Sequence, residues 1–98
     1  MLLIRDVFKC KPGQAKNLAE KFKKGGDIMS QNGGPSSTRV LVDYIASYWT
    51  VVLEMEVESI EDFEKGMQKY ASNAEMQKIM EGYMDMVDGG HREIFRIV

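Results

Sequence analysis

The chain makes one structural statement twice. Leu2 to Cys10 is a strand-like run stopped by Lys11-Pro12-Gly13 and followed by apolar residues at helical spacing. Trp49 to Val57 is a second such run, stopped by Ser59-Ile60-Glu61-Asp62 and again followed by helical spacing. Each half closes on a further strand candidate, Thr38–Ile45 before Trp49 and His91–Val98 at the end. The order β-α-β-β-α-β in 98 residues predicts one α+β domain over residues 1–98, with both helices on one face of a four-stranded antiparallel sheet. The last strand is expected beside the first, the first beside the third, and the second at the far edge.

Because side chains alternate along a strand, the first run carries two faces. Ile4, Asp6, Phe8 and Cys10 share one, and Leu3, Arg5, Val7 and Lys9 the other. In the third strand Trp49, Val51, Leu53, Met55 and Val57 make an unbroken apolar face, with Thr50, Val52, Glu54 and Glu56 opposite. Leu18, Ala19, Phe22, Gly26 and Met29 form the stripe of the first helix. Gly25-Gly26 inside it costs roughly 1 kcal/mol per glycine against alanine, so the pair marks either an early helix end or a close approach to the sheet. Asn32-Gly33 reads as the helix stop of the loop Asn32-Gly33-Gly34-Pro35-Ser36-Ser37. Ser59 is an N-cap candidate with Asp62 three residues on, and Ser72-Asn73-Ala74-Glu75 is a second capping box that predicts a break near Ser72. Beyond it Met76, Ile79, Met80, Tyr83 and Val87 point inward on another helical piece, ended by Asp88-Gly89-Gly90.

Composition narrows the function classes. A net charge of −2 and lysines interleaved with acids on the first helix leave no basic footprint for nucleic acid. No apolar run approaches the ~20 residues of a membrane span, and Leu2-Leu3-Ile4 meets Arg5-Asp6 too soon for a signal-peptide core. The one cysteine, Cys10, has no partner for an intrachain disulfide and reads as a small strand residue. A cytoplasmic protein without membrane or nucleic-acid partners is expected.

The sheet face away from the helices is only half polar. Leu3, Val7 and Val52 share it with Arg5, Glu54 and Glu56, a mixture suited to a homodimer packed sheet to sheet, provided the charges are paired. Arg5, Arg92 and Arg96 are the candidate partners for Glu54 and Glu56. A wet face with ordinary surface charges is the plainer alternative.

With Phe8-Lys9-Cys10-Lys11-Pro12-Gly13-Gln14 opening the first helix and Val52-Leu53-Glu54-Met55-Glu56-Val57-Glu58-Ser59-Ile60-Glu61-Asp62-Phe63 opening the second, the chain resembles the dimeric α+β barrel superfamily, in its antibiotic-biosynthesis-monooxygenase-like branch. The resemblance spans nearly the whole chain, and its motifs are structural punctuation. It implies two ferredoxin-like protomers joined through their sheets, each with a small-molecule pocket between sheet and helices. Its members include cofactor-free monooxygenases of polycyclic phenols and heme-degrading monooxygenases. The heme-degrading pattern has an asparagine where this chain has Asp6 and a tryptophan where it has Val57, and it needs a histidine that the stretch Met76–Val87 lacks. Heme degradation is therefore not expected. Four cluster cysteines and an aromatic third strand are missing, which sets aside a ferredoxin and an RNA-recognition motif.

Two constellations remain. Asp6 and His91, with Glu93, are the candidate catalytic groups, a histidine beside carboxylates being suited to general-base work near neutral pH. A histidine at an exposed strand start is the plainer reading of the same residue. One His with two carboxylates is also a conceivable metal-ligand set, but it lacks the two-His pattern of iron oxygenases, and no metal or cofactor is expected. The second constellation is apolar: Phe8, Trp49, Met55, Phe63, Met67, Tyr70, Met80 and Tyr83 are the candidate walls of a pocket for a flat apolar molecule. Methionine and aromatics at helical spacing equally make a filled core, as in a non-catalytic assembly or regulatory module. No phosphate loop, nucleophile elbow, CxxC or HExxH is present.

Overall fold

A computed structural model describes residues 1–34 and 37–98; Pro35 and Ser36, in the expected loop, lie outside the described residues. Strand β1 (Leu2–Cys10) leads into helix α1 (Ala15–Gln31), then come β2 (Arg39–Val42) and β3 (Thr50–Val57). Helices α2 (Ile60–Ser72) and α3 (Ala74–Ile79), a 3-10 turn at Tyr83–Met86 and β4 (Val87–Arg96) complete the fold. The sheet order is β2-β3-β1-β4 with antiparallel pairings, the expected ferredoxin-like layout.

The central strand sets both faces. Ile4, Asp6 and Phe8 lie opposite Met55, Leu53 and Val51 of β3, on the side where Phe8 meets Phe22 of α1 with ring centroids 5.0 Å apart. A main core gathers Leu18, Phe22, Val51, Cys10 and Met80, and a smaller one Ile4, Val57 and Phe63. Burial of Ala15, Leu18, Ala19, Phe22, Gly25 and Ile28 shifts the inner stripe of α1 one residue from the expected line through Gly26 and Met29. The shift has a cause: a Cβ on Gly25 would lie 2.9 Å from Cε of Met76, so this glycine lets α3 approach. The helix runs on through both glycines and ends at Asn32, with Gly33 at a φ of +81°.

Caps fix the second half. Ser59 accepts from the Asp62 amide at 3.2 Å, as expected. The break after α2 comes next to Ser72, as expected, but the cap is Asn73 and not Ser72: the Asn73 side chain accepts from the Met76 amide at 3.0 Å. Lys21 of α1 donates to the carbonyls of Ile79 and Glu81, satisfying acceptors that the end of α3 leaves open. Gly82, with a φ of +81°, then turns the chain out of the helical path expected to reach Val87. Strand β4 starts four residues early, so Asp88, Gly89 and Gly90 belong to it. Gly90 passes so close to the Val7 carbonyl that a side chain there would collide with backbone, and the register shifts beside it at Lys9/Cys10.

The β2–β3 connection also differs from expectation. β2 stops at Val42 and β3 begins at Thr50, whose amide bonds the Asp43 carboxylate at 3.0 Å. Tyr48 and Trp49 have φ values of 59° and 55°, rare for aromatic residues, and Lys9 ties down the carbonyls of Ser47 and Tyr48. No helix among the described residues is long and apolar enough to cross a membrane.

Candidate functional site

A cleft of about 230 Å³ opens between the sheet and the helices. Leu53, Met55 and Val57 of β3 and Phe8 of β1 floor it; Phe22 and Met29 of α1, Phe63, Met67 and Tyr70 of α2, and Met76, Met80 and Tyr83 close it. Gly25, Gly26 and Gly66 all line the wall, but of the three only Gly66 leaves open space, a Cβ there meeting nothing within 4 Å. A Cβ on Gly25 would press on Met76 and one on Gly26 would touch Thr38.

Seven of the eight residues expected as walls are there: Phe8, Met55, Phe63, Met67, Tyr70, Met80 and Tyr83. Trp49 is not. Its left-handed backbone ends the alternation that would have kept it in line with Val51, and the indole sits on the hairpin, 43% exposed.

The polar end of the cleft is a carboxylate–guanidinium pair. Asp6 and Arg92 face each other across β1 and β4, with Arg92 Nε donating to Oδ1 at 2.5 Å and Nη2 to Oδ2 at 3.3 Å. The Arg92 guanidinium carbon lies 4.9 Å from the Phe63 ring centroid, a cation–π contact that holds the fork in place. Asp62, exposed in the first turn of α2, is the other carboxylate of the lining. Burial, then the neighbouring Tyr83, pushes the Tyr70 phenol up, so it stays protonated as a donor.

His91 does not join Asp6. It pairs with Val7, one residue along from the Asp6–Arg92 pair, and strand alternation therefore sends it to the opposite face. The displacement follows from how β4 is registered: Arg92, not His91 or Glu93, shares the cleft face with Asp6. Arg92 was the residue that sequence reasoning missed, although the same alternation, counted from the β1–β4 pairing, locates it. His91 instead lies 3.9 Å from Glu93 on the open side.

That open face carries the expected mixture. Arg5 donates to Glu54 at 2.8 Å and to Glu93 at 2.9 Å, and Arg39 of β2 adds a 2.5 Å bond to Glu54. Arg5 therefore meets the pairing requirement for Glu54 within one chain; Arg92 faces the other way, and Arg39 supplies the second cation. Burial works against the Glu54 charge, but the hydrogen bonds from Arg5 and then Arg39 prevail and hold its carboxyl below the usual range. Burial also pushes the Cys10 thiol up, in keeping with a structural strand residue.

No family model and no curated protein matches the chain. Solved structures do. A NIPSNAP family protein from Agrobacterium tumefaciens superposes with a TM-score of 0.83 at 13% identity, over 99% of this chain and 92% of that one. A candidate antibiotic biosynthesis monooxygenase from Nitrosomonas europaea gives 0.78 at 11% identity, over 100% and 99%. A third, a candidate enzyme of the same description from Chloroflexus aurantiacus, gives 0.76 at 15% identity, over 99% and 92%. The fold is the one these NIPSNAP and monooxygenase-like proteins share, as the sequence resemblance implied.

Proposed function

We propose that two copies of this chain pair through their open sheet faces and that each binds a small apolar or aromatic molecule in its cleft. The cleft carries the reading: about 230 Å³ of space walled by five methionines and five aromatic rings, with one ion pair at its end. That volume lies just under the roughly 300–1,000 Å³ of common ligand sites and favours a compact, flat molecule. Pliant thioethers suit such a wall, and the space speaks against the alternative of a regulatory module with a filled interior. Monooxygenase-like, cofactor-free chemistry on the bound molecule is the enzymatic form of this proposal. Its polar groups would be Asp6 and Arg92, since His91 stands behind the sheet. Pairing is supported by Leu3, Val7, Leu41, Val52 and Phe95 on a face whose buried carboxylate is already matched by arginines. A reducing, cytoplasmic setting agrees with the lone buried thiol.

Native mass spectrometry tests both parts. The expected result is a species of twice 11.2 kDa that gains one small aromatic adduct per chain from a panel of bicyclic compounds. A monomer at micromolar concentration overturns the pairing, and a dimer that stays bare with every compound overturns the cleft.

A further inference from the structure

We infer that the cleft selects apolar acids, seating a flat body against Phe63 and the methionines and a carboxylate or similar oxyanion on the open edge of the Arg92 guanidinium. This rests on the cleft reading above and adds the charge of the occupant. Guanidinium offers five N–H donors, and Asp6 takes two of them, from Nε and Nη2. Three donors remain on a side chain that lines the cleft and is 45% exposed. Asp6 is the reverse case: its side chain is only 11% exposed and both its oxygens already accept from Arg92, so it is poorly placed to receive a cation. The same chain shows what an arginine in this position accommodates. On the other face Arg5 holds two carboxylates at once, Glu54 through Nε and Glu93 through Nη1. Arg92 holds one, through Nε and Nη2, and its remaining donors belong to a side chain that lines the cleft. The Phe63 ring against one face of the intrinsically planar guanidinium leaves its edge as the place for a charge-assisted bond. Tyr70 adds a protonated hydroxyl to the same lining.

Two dyes with one ring system separate charge from shape: anilinonaphthalene sulfonate, an anion, and phenylnaphthylamine, which lacks the sulfonate. The intact chain is expected to bind the sulfonate roughly tenfold or more tighter than the amine. Arg92→Gln should remove that preference while leaving amine affinity within about threefold. Asp6→Asn with Arg92→Gln removes both charges together, and should do the same without stranding a buried carboxylate. Equal affinity for the two dyes in the intact chain, or a sulfonate preference that survives both variants, overturns the inference. Gly66→Trp, which fills open space in the wall, should abolish binding of both dyes. Binding that ignores Gly66→Trp, or no binding of either dye, overturns the cleft reading itself.

Discussion

Among the described residues Glu54 and Asp6 are the two carboxylates that the sheet buries, one on each face, and each is answered by arginine. The pairing is a condition of their burial, because an ionised carboxylate stripped of water and left alone is strongly unfavourable. For Glu54 the consequence is a pH dependence of defined sign. A carboxyl whose folded pKa lies below its unfolded value contributes stability that is complete above the unfolded value, near 4.5, and is lost as pH falls through the folded one. The melting temperature should therefore drop as the pH goes below about 4.5. Glu54→Gln should flatten that part of the profile, and at pH 7 it should lose about 1–2 kcal/mol as Arg5 and Arg39 give up charged acceptors. A profile for Glu54→Gln that parallels the intact chain would place the acid sensitivity elsewhere.

At the scale of elements, the residues that were hard to read are those where backbone, not side-chain pattern, decides. The two-residue alternation of β1 and β3 and the stripe of α1 were legible because burial writes them into the choice of side chain. The start of β4 was not: Asp88-Gly89-Gly90 has the look of a helix stop, and only the contact with the Val7 carbonyl shows why glycine is needed inside the strand. Trp49 was misread for a related reason, since its left-handed φ breaks an alternation that the apolar pattern appeared to continue. The walls of the cleft were legible as a set of residues, but not as a space. Methionines and rings at these spacings fit a solid core equally well, and part of the open space lies beside Gly66, which carries no side chain to read. Two neighbouring glycines check the backbone argument. Gly90→Ala should cost roughly 1–3 kcal/mol, because carbonyl and strand must move apart, whereas Gly89→Ala, which meets nothing within 4 Å, should stay within about 0.5 kcal/mol. Chemical denaturation of the two variants side by side measures the difference.

As a whole the molecule is a slab of 35 × 34 × 18 Å, with helices on one broad side and bare sheet on the other. If the bare side is where two copies meet, a new charge at its centre should separate them. Val52→Glu, opposite Val7 and beside the Glu54 cluster, is expected to shift the chain to monomer in size-exclusion chromatography with light scattering. Its cleft lies on the other side, so binding of an aromatic probe should persist, weakened by less than about threefold. A variant that remains a dimer would move the contact to another surface. The hairpin gives the same slab an intrinsic gauge. The chain's one tryptophan is displaced from the cleft onto that turn, its backbone held in a conformation aromatic residues seldom take. Its accessibility to a collisional quencher therefore reports the hairpin and not the cleft: acrylamide quenching should be unchanged by a ligand that does not absorb tryptophan emission, and should fall when another surface covers the turn.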